Sequence, residues 1–295
     1  MYCGARPVFA DIDPRTYTID PESIERCVTE RTKAVISVDF TGAACDYDAI
    51  RAICQKHNLL LIEDAAHSIG TTYRGTPVGG VADLTTFSFH PVKTITAGEG
   101  GAVLSKDSTL AKRVELFAKH GITRDFDLLQ EKGNSNWYYE QQMLGYNYRM
   151  TDIQCALALS QLKKLERFIA RRKELVRKYD EAFRKIPEVI IQTEAEGSDT
   201  ARHLYILRLD FDRLNCRRKE FYDAMQAENI GVNVHYIPVY LFPYYQSLGY
   251  RRGLCPNAEA YYESSMTLPL FYGMTDQDQN DVIRAVEKVI TYFRQ

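Results

Sequence analysis

The sequence predicts an α/β protein, with a mainly parallel sheet followed by a smaller α+β unit, and three observations carry that prediction. Apolar, β-branched runs at residues 33–40 and 59–62 flank a helical pattern at residues 46–57, the strand, helix, strand spacing of right-handed parallel crossovers. A capping box, Thr151-Asp152-Ile153-Gln154, opens a stretch with no breaker until Pro187. Beyond residue 188 short strands separated by single helices replace the earlier alternation.

In chain order, residues 1–13 read as a strand or turn-strand already in progress. Asp20-Pro21-Glu22-Ser23 is a helix opening, with Asp as cap and Pro at the first helical position. The run Ala34-Val35-Ile36-Ser37-Val38 is a buried strand, and Ile50, Ile53 and Cys54 recur at helical spacing before the next strand at residues 59–62. Residues 85–89, β-branched and aromatic, form a further strand that Pro91 stops. Gly98, Gly100 and Gly101 then allow a tight turn into the apolar run 102–104. A helix follows near residues 108–120, then a polar loop at 121–136 without periodicity, of a length that in compact domains is functional or mobile. The unbroken stretch after Thr151 predicts a helix of about 36 residues, roughly 50 Å at ~1.5 Å per residue. It would run from a large domain, residues 1–165, into a small one, residues 166–295, with Arg167, Arg171, Arg172 and Lys173 as its solvated face. In the second unit, residues 202–209 and 232–239 read as strands and 217–228 as a helix. Asn257-Ala258 starts another helix and Leu268-Pro269-Leu270 stops it. Residues 276–294 close the chain as an amphipathic helix with Val282, Ile283, Val286, Val289 and Ile290 inward.

Composition narrows the function classes. A chain of 295 residues, 45% hydrophobic and 26% charged, is ordinary globular material with room for one large core or two modest ones. A net charge of −2 argues against nucleic acid as a partner. No apolar run nears a membrane span and the start lacks a leader pattern, so neither insertion nor export is expected. Seven cysteines without paired short spacings suggest reduced thiols in the cytoplasm rather than a disulfide framework or a zinc site. The 20 tyrosines cluster near Trp137 and between Tyr236 and Tyr262, where they either line a sugar or uracil pocket or pack in core and interface.

The chemistry centres on residues 85–101. Lys93 lies in the loop just beyond a strand end, where its amine can reach a carbonyl cofactor, and partial desolvation would leave some of it neutral and nucleophilic. A lone loop lysine is more often merely solvated, so its neighbours must decide. Asp64, in Glu63-Asp64-Ala65-Ala66-His67-Ser68 after the strand 59–62, sits at the carboxyl end of a sheet strand, where ligand groups gather in open α/β sheets. It either caps a following helix or holds the pyridinium nitrogen of pyridoxal phosphate protonated. Asp64 and Lys93 together, with Ser88 between them, favour the cofactor.

Asp-Ala-Ala-His-Ser from Asp64, Phe-Ser-Phe-His-Pro-Val-Lys ending at Lys93, Gly98-Glu99-Gly100-Gly101 and Leu-Gly-Tyr-Asn-Tyr-Arg-Met-Thr-Asp-Ile-Gln ending at Gln154 resemble the landmarks of one family. It is the DegT-type pyridoxal-phosphate sugar-nucleotide aminotransferases, of fold type I, the aspartate aminotransferase fold. The resemblance in layout runs the length of the chain. Phe-His-Pro-Val-Lys with the later Trp137-Tyr138-Tyr139-Glu140-Gln141 is similar to the branch that serves pseudaminic acid synthesis, which aminates a UDP-linked 4-keto-6-deoxy-N-acetyl-hexosamine.

The resemblance implies a role for each residue. Lys93 would hold the cofactor as a Schiff base and later move the proton between amine carbon and cofactor. Asp64 would pair with the ring nitrogen, and His67 would lie beside the phenolate oxygen or be an ordinary first-turn residue. Ser88 would give its hydroxyl to the phosphate or to backbone. Asn147 would reach the phosphate of a second subunit across a homodimer with shared sites. Arg149, with Asn147, either joins substrate binding or organises the helix entry. His235 and Tyr236 lie in a segment that faces the substrate in the family, although a core or interface histidine fits equally well. Glutamate would be the amino donor, and the keto carbon of a nucleotide-linked 4-keto-6-deoxy sugar the acceptor, in bacterial surface-sugar biosynthesis. Three alternatives stand beside this. A dehydratase on the same fold carries histidine where this chain has Lys93. A cysteine desulfurase would need a nucleophilic thiol, for which Cys255 is the one candidate. The third is a non-catalytic chain of this fold acting in binding or regulation.

The family's large domain begins with a Gly-Ser/Thr turn at a helix N-terminus that cradles the phosphate, followed by an aromatic residue that stacks on the ring. Nothing before Lys33 resembles that turn. The chain is therefore expected to lack the family's N-terminal stretch, to expose apolar sheet surface, to bind pyridoxal phosphate weakly and to turn over little by itself.

Overall fold

A computed structural model describes residues 1–132 and 135–294. The elements in chain order are α1 (Pro21–Cys27), β1 (Ala34–Val38), α2 (Tyr47–His57), β2 (Leu60–Asp64), β3 (Thr72–Tyr73), β4 (Thr76–Pro77), β5 (Leu84–Ser88), β6 (Gly101–Leu104), α3 (Ser108–Ala118), β7 (Ile122–Thr123), β8 (Glu140–Gln141), α4 (Asp152–Leu162), α5 (Leu165–Phe183), β9 (Val189–Ile190), β10 (Ser198–Asp199), β11 (Tyr205–Leu209), α6 (Arg218–Ala227), α7 (Pro243–Ser247), α8 (Pro256–Ser264), β12 (Ser265–Leu268) and α9 (Asp276–Phe293).

The sheet that positions the site has the order β1-β2-β5-β6. The first two pairings are parallel and β6 runs antiparallel at one edge. Register sets Val38 beside Asp64 and Asp64 beside Thr86, so the carboxyl ends of β1, β2 and β5 open on one side. Asp20 caps α1 with its carboxylate and Thr151 with Gln154 forms both halves of a capping box on α4, as the sequence suggests, and Asp46 caps α2 in the same way as Asp20 does α1. One apolar cluster, around Val35, Tyr47, Ile50 and Leu61, packs α2 against the sheet. A larger one gathers Leu175, Tyr179 and Phe183 of α5, Leu207 of β11, Phe221 of α6 and Val286 and Ile290 of α9. Ile36, Val38, Leu60 and Val103 of the sheet are exposed in the chain by itself. Among the described residues no helix is long and apolar enough to cross a membrane.

The structure differs from the sequence reading in several places. Residues 1–13 form no strand, only a bridge from Ile12 to Ile19, and the Asp11 carboxylate instead accepts from the N–H groups of Asn257 and Ala258 at 2.9 Å, capping α8 from far away in sequence. The polar loop opens with β7, which pairs with β8 beyond the loop, and holds a helical turn at Phe126–Leu128, with residues 133 and 134 outside the described ones. The expected long helix breaks at Lys163 and Lys164. Lys164 N–H bonds to Gln161, three residues back, and the backbone there reaches φ −107° and ψ −1°. The two halves meet different surroundings: α4 buries no residue, whereas α5 turns Phe168, Arg172, Leu175, Val176, Tyr179 and Phe183 inward. Arg172 therefore leaves the solvated face expected of it and is 5% exposed. Residues 232–239 are not a strand. Asn233 alone exchanges bonds with Thr267, and the His235 carbonyl is taken by the Tyr261 hydroxyl at 2.8 Å instead of by a strand partner.

Candidate active site

Asp64 ends β2 and begins a tight turn. Its Oδ1 accepts from Ala66 N–H at 3.1 Å, Ala65 N–H reaches Thr86 in the neighbouring strand, and Ser68 N–H returns to Ala65. The turn is anchored from below by Asp39, at the end of β1, whose carboxyl accepts from the Ser68 hydroxyl (2.7 Å), the Tyr47 hydroxyl (2.6 Å) and Cys45 N–H (3.2 Å). Burial, with the nearby Glu63 carboxylate, pushes the Asp39 carboxyl up to about 7. Glu63 is buried too, accepts from Thr85 and Gly79, and keeps one oxygen without a partner.

Ser88 ends β5, and its hydroxyl accepts from His90 N–H at 3.3 Å. The loop beyond it is pinned at both ends, by Phe89 N–H on Gly100 and Ala97 N–H on Phe89, with a turn from His90 to Lys93 between. Gly101 is required there, because a Cβ would sit 2.5 Å from the Phe87 carbonyl oxygen. The Lys93 amine is half-buried and takes no hydrogen-bond partner among the described residues. Burial lowers its pKa, against the opposing pull of Asp64. That direction favours the neutral, nucleophilic amine.

His67 lies inside the turn, 7% exposed, with Nδ1 unpartnered. Its ring is surrounded by Phe40 (6.0 Å between centroids), Tyr236 (6.4 Å, near parallel) and His203 (4.6 Å). Burial, then the positive charge of Lys93, holds it down to about 3, so it is neutral at physiological pH. His235 is also lowered by burial and Lys93, and its Nδ1 pairs with the Thr267 hydroxyl at 2.7 Å. Burial and Asp64 raise the Tyr236 hydroxyl.

The structure thus brings Asp64, His67, Lys93, His235 and Tyr236 together, with Ser88 at the adjoining strand end. Among the described residues Asn147 and Arg149 make no hydrogen bond to any of these. They are exposed and bond to each other at 3.2 Å, in a segment where Leu144, Tyr146 and Tyr148 are exposed as well. Sequence reasoning missed His203 and Arg172. Among the six histidines of the chain only position in the fold distinguishes His203, whereas Arg172 could have been found, since it falls on the apolar stripe of α5 between Phe168 and Leu175.

Comparisons with known proteins cover nearly the whole chain. A family model described as the DegT/DnrJ/EryC1/StrS aminotransferase family matches residues 1–287. The spore coat polysaccharide biosynthesis protein SpsC of Bacillus subtilis is 42% identical over 292 residues, covering 98% of this chain and 75% of that protein. The solved structure of a putative sugar aminotransferase, Spr1654 of Streptococcus pneumoniae in its PMP form, superposes with a TM-score of 0.90 at 31% identity, over 99% of this chain and 77% of that one. Helicobacter pylori PseC, an aminotransferase involved in the biosynthesis of pseudoaminic acid, gives 0.89 at 31% identity, over 99% and 76%.

Proposed function

The chain belongs to the DegT/DnrJ/EryC1/StrS aminotransferase family, of fold type I, and from that premise we propose that it moves an amino group from glutamate to the keto carbon of a nucleotide-linked 4-keto-6-deoxy sugar. The acceptor we assign is a UDP-4-keto-6-deoxy-N-acetyl-hexosamine on a route to bacterial surface sugars, pseudaminic acid among them. The part of SpsC in spore coat polysaccharide biosynthesis and of PseC in the biosynthesis of pseudoaminic acid supports that assignment. The cofactor is pyridoxal phosphate, whose ring accepts the electron pair released when the substrate carbon gives up its proton.

The single observation that carries the reading is the Lys93 amine, half-buried and without a hydrogen-bond partner, held beside Asp64 and the unpartnered His67 imidazole. This donor set fits the cofactor. Asp64 would keep a proton on the ring nitrogen, and neutral His67 would give an N–H to the phenolic oxygen. Ser88 would bind the phosphate together with Asn147 of a second copy. Lys93 would hold the cofactor covalently and, once free, carry a proton to and from the carbon bearing the amine. His235, Tyr236 and Arg149 would meet the sugar nucleotide. The apolar residues exposed on α4 support a homodimer with shared sites, Ile153 being 84% exposed. We place the domain boundary at residues 165 and 166, where α5 leaves the sheet for the second core, and the enzyme in the cytoplasm, in keeping with its free thiols. A panel of UDP- and dTDP-linked ketosugars incubated with glutamate and read by mass tests the function. Amination of the UDP-4-keto-6-deoxy-N-acetyl-hexosamine is expected, and turnover of other ketosugars alone would overturn the acceptor.

A further inference from the structure

Three of the six histidines meet around Lys93, and His203 is the one without a role so far. Its backbone is fixed on both sides. The N–H donates to the Thr41 carbonyl at 2.7 Å, and the carbonyl accepts from Arg172 Nη1 at 3.1 Å. The preceding residue, Arg202, is held in turn by Gln192 and Glu194. Yet the imidazole so placed, 5% exposed, keeps Nδ1 without a partner. Buried polar atoms in native proteins are nearly always paired, and an exception calls for a reason.

The ring lies 4.6 Å from that of His67, with planes at 45°. Phe40 and Tyr236 cover other sides of the same imidazole. The titratable and charged groups around His67 are Asp64 at the start of its own turn, Lys93 from the loop after β5, His235 and Tyr236 from the segment before α7, and His203 with Arg172 behind it. Asp39 lies beneath, bonded to Ser68.

We propose that His203 is a positioning residue: its ring forms one wall of the His67 pocket, keeping water from that imidazole and fixing its orientation. The proposal rests on the assignment of His67 to the phenolic side of the cofactor. Burial dominates the lowering of both histidines, to about 3 for His67 and about 2 for His203, so the wall keeps both rings neutral. Neutral His67 donates one N–H without adding a second cation beside Lys93. Removing the wall admits water, and the pKa of His67 rises toward its ordinary value of 6.5.

The test uses the full chain loaded with pyridoxal phosphate. His203→Ala should give the visible spectrum of the bound cofactor an added transition approaching about pH 6.5, the ordinary histidine value. That transition should vanish in His203→Ala/His67→Ala and be absent from His203→Phe, which keeps the wall without the nitrogens. A folded, cofactor-bound His203→Ala without the transition overturns the proposal. Ring nitrogen NMR of His67 in the unsubstituted loaded protein decides independently of how well the variant folds. Neutral nitrogens down to about pH 5 support the wall, and a ring that titrates at its ordinary value overturns it. If His67→Ala alone leaves the cofactor spectrum unchanged, the phenolic-side assignment fails, while the NMR result still judges the wall.

Discussion

Replacing Asp39 by Asn tests how the turn bearing Asp64 and His67 is anchored. The Asp39 carboxyl is raised from 3.8 to about 7 by burial, with the Glu63 charge adding to it. Because the folded value lies above the unfolded one, the folded chain holds a proton that the unfolded chain has already released. The stabilising contribution is complete below about pH 4 and is lost as the pH rises through about 7. At roughly 1.4 kcal/mol per pH unit, levelling off as the folded group titrates near 7, the loss between pH 5 and pH 8 is about 3 kcal/mol. The amide introduced by Asp39→Asn would carry no charge and would keep an oxygen for the Ser68 or Tyr47 hydroxyl, so this component of the pH dependence should disappear. The assay is urea unfolding of the cofactor-free chain at pH 5 and pH 8. Between the two the Asp39→Asn variant should lose about 3 kcal/mol less stability than the unsubstituted chain. Parallel losses in both proteins would refute the reasoning. Glu63→Gln supplies a second check, since it removes the neighbouring charge and should move the wild-type loss toward lower pH.

Lys93→Ala should abolish transamination and the visible band of the bound cofactor, and a reducible cofactor adduct on another lysine would show the assignment to be wrong. Asp64→Asn should still bind the cofactor but lose about 10²-fold or more in kcat, by the general cost of removing a group aimed at developing charge, and a fully active variant would mean the pyridine end is misplaced. Mixing inactive Lys93→Ala and Asn147→Ala chains should restore part of the activity through hybrid dimers. Continued inactivity after subunit exchange has been demonstrated would exclude sharing of Asn147 across the interface.

Legibility followed the range of the interaction. Asp64, Ser88 and Lys93 were readable because each depends on where a strand stops, and β-branched runs, Pro91 and the glycines mark those stops locally. The caps Asp20 and Thr151 were readable for the same reason. The break at Lys163 and Lys164 was not, since no proline or glycine marks it and the cause is the burial of α5 in the second core. The residues around His235 alternate like a strand, but a hydroxyl from Tyr261 takes the carbonyl that strand pairing would need. His203 was hidden because its neighbours, Thr41, His67 and Arg172, come from three other stretches of the chain.

The two backbone bonds of His203 have a mechanical consequence. One side of this single residue is fastened to Thr41 beyond β1, and the other to Arg172, which also grips the Leu270 carbonyl after β12. The residue behaves as a rivet between the sheet and the second core. It does not hold alone: β10 pairs with β3, the Thr41 hydroxyl donates to Gln192 and Ala201 N–H donates to the Thr71 hydroxyl, so shifting the second core against the sheet would break bonds at all of these points together, and the imidazoles next to Lys93 are held in place from both sides.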